Sequence, residues 1–338
     1  MSVRPLWIDS AVLPADGSPL QLKSGATGEL EEGSPGGGGA SIALPVQAWV
    51  DATEGDDLTG AVGSPATPYE TLQAAYDDGA RVFHVSGSVG ALALADATQH
   101  VVFLGVGRDR SLVGAITLAA GSSRTVQISG NGAALVAVAS IATTSPSDTA
   151  GAYLVLNDFY LSGALTRAGK TGADGGPGNP GGNGDTGGYS GPTKMGDVEF
   201  NGHITFTGGA GGDGGGGNAV EEFGSNGGDG GSGGFGGELI MVRCSSGGSL
   251  NITMSGGDGG SGGEPGSGAE ATGNPGNPGS TGDGGNLTLE YCNMPNVAPT
   301  LSGGNPGNLI SRFSIYATPV DYAPGGEVAN IIAGAWTP

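Results

Sequence analysis

The fold is decided by the segment GKTGADGGPGNPGGNGDTGG, residues 169–188, in which Gly recurs at every third position. The same spacing returns in 224–236, 257–266 and 273–285. Polyproline-II-type helices have three residues per turn, so this period places Gly along one face of each helix. The short, interrupted runs and the few prolines between the glycines argue against a collagen triple helix. We therefore predict a bundle of polyglycine-II helices whose backbones hydrogen-bond one another.

A longer period lies over the first. Four similar segments follow one another at intervals of 45–48 residues, namely LNDFYLSG (156–163), NGHITFTGG (201–209), SLNITMSGG (249–257) and NVAPTLSGG (296–304). Self-similarity at a fixed period indicates a stack of repeats. Apolar residues alternate with period two inside these segments, which is typical of half-buried β-strands. The sequence thus predicts a β-strand base that carries the Gly helices.

Two of the Gly tracts are interrupted in their middles, at 218–223 and 264–272. We interpret each interruption as the loop of a hairpin in which one Gly helix leaves the base and another returns. At roughly 3.1 Å per residue, an arm of ten residues extends about 30 Å. The loops are therefore expected at the end of the bundle that is farthest from the base.

Composition excludes several classes of protein. The 338 residues include 74 Gly and carry a formal net charge of −21. No uninterrupted apolar stretch approaches the ~18 residues of a membrane-spanning helix, and no basic patch suits phosphate binding. A helical bundle is excluded because each Gly in a helix costs about 1 kcal/mol.

Four regions follow from these patterns. Residues 1–45 are interpreted as an anchoring arm and linker, with Leu6, Trp7 and Ile8 as its apolar docking peptide. Residues 46–165 carry a short predicted helix and then closely spaced short strands, 166–308 carry the Gly repeats, and 309–338 supply closing strands. The predicted fold class is all-β, with a short parallel β-helix-like domain followed by strand repeats that carry a polyglycine-II sandwich.

Two resemblances extend this interpretation. The stretch 51–57, Asp-Ala-Thr-Glu-Gly-Asp-Asp, followed by Pro-Tyr-Glu-Thr-Leu-Gln-Ala-Ala-Tyr at 68–76, resembles the start of right-handed β-helix domains in bacteriophage tail fibres and tailspikes. The Gly tracts resemble the adhesin at the tip of T-even-like long tail fibres, and less closely the Gly-rich repeats of mycobacterial surface proteins. Membership of the adhesin family implies a virion protein whose loops between Gly helices contact a receptor on the host surface.

The matching positions are the predicted loops 189–195, 218–223 and 264–272. The candidate receptor-binding residues in them are Tyr189, Lys194, Asn218, Val220, Glu221, Glu222, Phe223, Glu264, Glu270 and Thr272. The resemblance implies other virion proteins as partners through the arm, and the β-helix-like part suggests a homotrimer. The first 20 residues lack the basic and apolar regions of a secretion signal, so synthesis in the host cytoplasm is expected.

Two other functions stay open. A decoration protein of the head or tail would share the fold and recognise nothing. A tailspike-like depolymerase would need a pair of carboxylates ~5–9 Å apart; the candidates for it are Asp77, Asp78, Asp96, Asp109 and Asp158. Their spacing singles out no pair, so no catalytic residue is assigned.

No cofactor is predicted. Asp51, Asp56 and Asp57 are interpreted as a solvated turn, with Ca²⁺ ligation as the alternative. His84, His100 and His203 are not spaced as a metal site. Cys244 and Cys292 lie 48 residues apart, one repeat; free thiols are favoured in a reducing cytosol, although neighbouring strands would also allow a disulfide.

Overall fold

The structure is a computed structural model, and it divides into two compact units, Met1–Val46 and Gln47–Pro338. The residues that it describes are 22–24, 30–32, 46–94, 99–107, 109–118, 125–143, 153–178, 180–218, 224–267, 272–305, 307–312, 314–316 and 321–322. In the first unit, β1 (Leu22–Ser24) pairs antiparallel with β2 (Leu30–Glu32). The predicted anchoring residues Leu6, Trp7 and Ile8 lie outside the described residues.

The second unit contains one short helix and many short strands. In chain order these are β3 (Gln47–Asp51), α1 (Leu72–Asp77), β4 (Val82–Ser86), β5 (Ser88–Val89), β6 (Leu92–Leu94), β7 (Gln99–Gly105), β8 (Ser111–Leu118), β9 (Thr125–Ser129), β10 (Val136–Thr143), β11 (Tyr153–Asn157), β12 (Tyr160–Leu161), β13 (Leu165–Ala168), β14 (Pro192–Gly196), β15 (Glu199–Phe200), β16 (Ile204–Thr207), β17 (Glu238–Val242), β18 (Leu250–Ser255), β19 (Asn286–Glu290), β20 (Asn293–Met294), β21 (Val297–Ser302), β22 (Leu309–Arg312), β23 (Ile315–Tyr316) and β24 (Asp321–Tyr322).

Most strands of the second unit form two parallel sheets, and β20 and β23 form a separate parallel pair. Sheet I runs in the order β3-β4-β7-β9-β11-β14-β17-β19-β22. Sheet II contains β8, β10, β13, β16, β18, β21 and β24, with the shorter β5, β6, β12 and β15 paired beside them. Successive passes of the chain therefore add neighbouring strands to both sheets, and the prediction of an all-β chain with parallel sheets is confirmed. The predicted domain boundary at 165/166 falls inside β13, which pairs with both β10 and β16.

The core is built from alternate residues of the strands. In β17, Leu239 and Met241 are buried, while Glu238, Ile240 and Val242 are half-exposed on the opposite face. The same alternation in the neighbouring strands stacks Leu289 of β19 on Met241. Each such side chain contributes roughly 1.5–3 kcal/mol through its removal from water, so period-two patterning fixes which face of each strand is internal.

The helix α1 begins at a cap made by the preceding loop. Thr71 is the N-cap residue, and its hydroxyl oxygen accepts a hydrogen bond from the Ala74 N–H at 3.2 Å. The Asp57 carboxylate holds this cap, because it accepts from both the backbone N–H and the hydroxyl of Thr71 at 2.8 and 2.7 Å. Leu72 and Tyr76 are buried, as the helical spacing predicts.

A left-handed residue follows four successive strands of sheet I. These residues are Asp158, Asp197, Arg243 and Tyr291, with φ between 53° and 64°. Each lies directly after the end of β11, β14, β17 or β19, and the residue after it is buried. The left-handed conformation is uncommon for residues other than Gly, and its recurrence shows that these four successive passes of the chain leave sheet I by the same turn.

Candidate functional site: the ends of the glycine-rich excursions

Three glycine-rich excursions leave sheet II and return to sheet I. Each consists of an out tract and a return tract: 169–178 and 181–188 in the first, 208–217 and 224–237 in the second, and 256–266 and 273–285 in the third. The out tracts follow β13, β16 and β18, and the return tracts precede β14, β17 and β19. Together these six tracts are called the glycine slab below.

Backbone hydrogen bonds join tracts of the same direction at every third residue. The first out tract donates to the second at 2.7–2.8 Å, from Gly169 to Thr207, from Gly172 to Ala210 and from Gly175 to Asp213. The first return tract donates to the second in the same way, from Gly181 to Asn226, from Gly184 to Asp229 and from Gly187 to Ser232. The period of three in the sequence therefore corresponds to one backbone donor in every three residues that faces the next excursion.

A second set of bonds joins the out tracts to the return tracts. The second out tract donates to the first return tract at 2.7–2.8 Å, from Gly209 to Gly188, from Gly212 to Asp185 and from Gly215 to Gly182. The third out tract repeats this toward the second return tract, from Gly257 to Gly234, from Gly260 to Gly231 and from Gly263 to Gly228. Buried backbone groups need partners, and two layers of tracts supply them.

This bonding brings backbones too close for side chains. A Cβ placed on Gly212 would lie 2.0 Å from the Ala173 carbonyl oxygen, and one on Gly231 would lie 1.9 Å from that of Asp185. Carbon atoms in contact normally lie ~3.5–4.0 Å apart. Gly is therefore required at the internal positions by close approach of the chains, and the other positions are free to vary.

Side chains at the variable positions accept hydrogen bonds from backbone N–H groups of neighbouring tracts. The Asp213 N–H donates to the Asp174 carboxylate at 2.9 Å, and the Asp213 carboxylate in turn accepts from the Ser261 N–H at 2.7 Å. The return layer repeats the pattern, since Asp229 donates its N–H to the Asn183 side chain and accepts from the Asn277 N–H, at 3.0 and 2.8 Å. Many of the acidic residues thus satisfy backbone donors.

The turning points of the three excursions meet at one end of the slab. The Asn218 N–H donates to the Gly178 carbonyl at 2.8 Å, and the Gly266 N–H donates to the Ser225 carbonyl at 2.8 Å. The buried Ser225 hydroxyl joins them, because it donates to the carbonyl oxygens of Asn218 and Gly178, at 2.7 and 3.2 Å. We call the described residues of this cluster, 178, 180–181, 218, 224–225, 264–267 and 272–273, the tip.

Three predicted receptor-binding residues lie at the tip and are exposed: Asn218, Glu264 and Thr272. The Glu264 carbonyl accepts from the Gly217 N–H at 2.8 Å, which fixes its backbone while the side chain stays in solvent. The other predicted tip residues, Val220, Glu221, Glu222, Phe223 and Glu270, lie outside the described residues. An amide, a carboxylate and hydroxyl groups are therefore presented together, a set suited to hydrogen-bonded recognition.

The prediction of a loop over 189–195 is wrong. Residues 192–196 form β14, in which Lys194 pairs with Val155 on one side and with Ile240 on the other. Thr193 and Met195 are buried and Lys194 is exposed, so a period-two signal was present in a short segment bounded by Gly and Pro. The first excursion instead turns at 178–181, which the sequence interpretation missed because Gly recurs at every third position through that turn.

Tyr189 lies at the base of the slab and not at the tip. Its ring stacks on Phe235 with centroids 5.3 Å apart. Burial, together with the Glu238 carboxylate, raises the pKa of Tyr189 to about 12, so the phenol is neutral at physiological pH. The nearby Arg167 is buried, which lowers its pKa to about 10, and it donates to the Pro192 carbonyl at 2.8 Å. This cluster joins β13 to β14.

A groove of about 590 Å³ lies where the out tracts meet sheet II. It is lined by backbone and by small polar side chains, among them Thr207, Ser255, Ser302 and Asp258. The hydroxyl oxygens of Thr207 and Ser255 are 3.5 Å apart. The groove offers hydrogen-bonding groups, and the sequence interpretation did not find it because it depends on the register between excursions.

The other candidate sites from the sequence have structural partners. Asp51 accepts from the N–H groups of Thr53 and Glu54 at 2.9 and 3.1 Å, and these bonds lower its pKa. Among the proposed carboxylates, Asp77 accepts from Gln73 at 2.9 Å and Asp78 from the Tyr69 hydroxyl at 2.8 Å. Asp109 is exposed, and Asp96 lies outside the described residues. Within the described part of the chain, no three His, Cys, Asp or Glu residues are grouped as a metal site.

His84 is a packed strand residue, as its place in β4 suggests. Its ring stacks on Trp49 at 4.4 Å, and its Nε2 lies 3.0 Å from the Gln47 side-chain oxygen. Burial lowers the pKa of His84. His203 accepts a hydrogen bond from the Asn251 N–H at its Nδ1, at 3.1 Å, so both side chains contribute to packing between neighbouring strands.

Comparisons with known proteins add no relative. No protein-family model matches the chain, and neither a curated protein nor a solved structure matches it. Within the described ranges, no helix is long and apolar enough to cross a membrane.

Proposed function

We propose that this chain is a bacteriophage virion protein of the tail fibre, and that its tip recognises a receptor on the host surface. The observation that supports this proposal is the meeting of the three excursions at one end. Turning points that are separated by tens of residues in the sequence are held together there by backbone hydrogen bonds.

The proposal includes a more detailed description of the fold. The two parallel sheets would be the faces of a parallel β-helix, and the glycine slab would be a sandwich of polyglycine-II helices. The repeated left-handed turn after sheet I and the backbone bond at every third Gly support this interpretation. Such a slab holds its shape through its backbone, so the tip sequences are free to change without disturbing it.

The sequences of the two predicted loops also indicate the chemistry of the ligand. The segments 218–223 and 264–272 contain Glu221, Glu222, Glu264 and Glu270 and no basic residue. Carboxylates accept hydrogen bonds and attract positive charge. The receptor is therefore expected to offer hydroxyl, amide or amino groups, and its binding should weaken as ionic strength rises.

Loop exchange tests this function. Segments 218–223 and 264–272 are replaced, singly and together, by Gly/Ser sequences of equal length, and binding of the purified protein to a panel of bacterial cells is measured by flow cytometry. Lys194→Ala is the matched control, since this exposed residue lies in β14 at the base. We expect the exchanges to abolish binding and the control to retain it.

Other results would assign the chain differently. If no cell in the panel is bound, or if every exchange binds like the parent, the tip recognises nothing and a decoration protein of the particle is favoured. Release of reducing sugar from host polysaccharide would favour the depolymerase. Immunogold labelling of virions adds the location of the chain in the particle, which binding alone does not give.

A further inference from the structure

The two cysteines occupy the same position in neighbouring passes of the chain. Cys244 and Cys292 directly follow the left-handed residues Arg243 and Tyr291. The Arg243 N–H donates to the Glu290 carbonyl at 2.9 Å, and the Asn293 N–H donates to the Cys244 carbonyl at 2.9 Å. These two bonds set the register on both sides of the pair and place the thiols on adjacent rungs.

The two side chains also point the same way. The Cys244 thiol donates to the Met195 carbonyl at 3.6 Å, and the Cys292 thiol donates to the Met241 carbonyl at 3.4 Å. Met195 and Met241 are themselves paired in the β14–β17 ladder. Each thiol therefore has the same surroundings, displaced by one rung, and both are buried, with 1% and 2% of their surfaces exposed.

The spacing of rungs suits a covalent bond. Neighbouring strands of a sheet lie ~4.7–4.9 Å apart, and a disulfide joins Cα atoms ~4.4–6.8 Å apart. The chain contains no other cysteine, so the pair has no competing intramolecular partner. The structure holds both residues as free thiols.

We propose that Cys244 and Cys292 form an oxidation site, at which hydrogen peroxide converts the stacked thiols into a disulfide across adjacent rungs. The cross-link would connect the two ends of a 48-residue segment that contains the whole third excursion. It would thus fasten that excursion to the base once the protein leaves a reducing compartment.

The order of attack follows from the effect of each thiol on the other. The neighbouring Cys244 thiol lowers the pKa of Cys292, whereas the interaction with Cys292 and burial raise the pKa of Cys244. The Cys292 thiolate attacks peroxide, the O–O bond breaks, and sulfenic acid and hydroxide form. Cys244 then loses its proton and attacks the sulfenic sulfur, and the hydroxyl leaves as water. The two thiols lose two protons and two electrons, and the peroxide takes them up and is reduced to two waters.

The burial of the pair explains the choice of oxidant. A reagent as small as peroxide reaches sulfur atoms through brief local opening, whereas bulky disulfides are excluded from a site that is nearly closed to solvent. Reaction with peroxide should therefore be fast compared with the reaction of the folded protein with an aromatic disulfide reagent.

Intact-mass spectrometry of the full chain tests this site. The reduced protein is treated with hydrogen peroxide, denatured in an alkylating reagent and weighed, and a parallel sample is melted without reductant. We expect the mass of two hydrogens to be lost, neither cysteine to be alkylated, and the melting midpoint to rise by at least ~4 °C from constraint of the unfolded chain. Tandem mass spectrometry should show a peptide pair joined at Cys244 and Cys292.

Single variants separate the pair from ordinary oxidation. Cys244→Ser removes the resolving thiol, so Cys292 should remain as a sulfenic acid that dimedone traps when it is added together with the denaturant, with no rise in the melting midpoint. Cys292→Ser should react much more slowly with both peroxide and dimedone. If both thiols can still be alkylated after peroxide treatment, the proposal is overturned. A disulfide between two chains, or oxidation to sulfinic acid at both residues, would also overturn it.

Discussion

Gly is required where the tracts of the slab pack closely. Adding one methyl group should therefore destabilise the protein at one Gly position and not at another of similar sequence. Gly230 lies in the second return tract, where its N–H donates to the Asn277 carbonyl at 2.8 Å. A Cβ on Gly230 would lie 2.2 Å from the oxygen and 2.6 Å from the carbon of the Gly260 carbonyl. Gly176, in the first out tract, has nothing within 4 Å of its added Cβ.

The size of the destabilisation follows from the backbone hydrogen bonds of Gly260 that a methyl group on Gly230 would disturb. Its carbonyl accepts from the Gly279 N–H and its N–H donates to the Gly231 carbonyl, both at 2.8 Å. Overpacking costs about 1–3 kcal/mol, and each backbone bond that is stretched adds up to ~1 kcal/mol. A reduced entropy of the unfolded chain offsets about 0.4–1 kcal/mol. We expect Gly230→Ala to lower the free energy of unfolding by about 2–4 kcal/mol, and Gly176→Ala to leave it unchanged or raise it slightly.

Urea denaturation followed by circular dichroism measures both variants against the parent. Equal m-values would show that the comparison concerns stability and not the size of the unfolding unit. If the two alanine variants unfold within about 0.5 kcal/mol of one another, close packing of the tracts is not what demands Gly, and the reasoning fails.

Three further perturbations have defined outcomes. Asp229→Ala leaves the Asn277 N–H without its 2.8 Å acceptor and should cost about 0.5–1.5 kcal/mol in the same denaturation assay, more than Asp258→Ala; equal losses would contradict a role for the carboxylate. Leu289→Ala opens a cavity in the buried core and should cost about 2–5 kcal/mol, so a smaller loss would mean that the site collapses. The hydrogen bond from Arg243 lowers the pKa of Asp197, so the stabilisation is present above pH ~3.8 and is lost as the pH falls through the lower, folded value; acid melts of Asp197→Asn should lack that part of the pH dependence.

The sequence predicted what depends on periodicity. A period of two in segments such as 250–254 indicated strands, and a period of three indicated tracts whose backbones bond to one another. Both signals arise from local geometry, in which alternate residues face opposite sides of a strand and every third residue returns to the same face of a three-fold helix. Parallel pairing was predicted for the β-helix-like part, and the structure extends it through the repeats.

What the sequence left hidden depends on how the repeats align. β14 was interpreted as a loop between Gly tracts, with Gly191 before it and Pro192 as its first residue, and only its neighbours on both sides in sheet I fix it as a strand. The role of Asp213 was also hidden, since its carboxylate bonds to Ser261, 48 residues away. The tip at 178–181 was missed for the same reason, because the first excursion is shorter than the others.

A comparison of residues 48 positions apart nevertheless indicates from the sequence where the slab ends. In the second excursion Gly217, Gly227 and Gly230 donate their N–H groups to the third, at 2.8–2.9 Å. The residues 48 positions later are Pro265, Pro275 and Pro278, which have no N–H to donate. Among the described residues no tract follows the third excursion at these positions, and Pro275 and Pro278 are exposed.

Replacement of donors by proline at this edge has a physical reason. A row of unpaired backbone donors is a template for another chain, and proteins block open sheet edges with proline for that purpose. Pro275 and Pro278 remove the donors, and the absent neighbour leaves room for their rings. Interior tracts exclude proline because both the donor and the space are needed there. At these three positions the third excursion therefore accepts from the second but offers no N–H to a fourth, whereas nearer the base it still donates, from Gly256 to Ser302 and from Gly284 to Asn305.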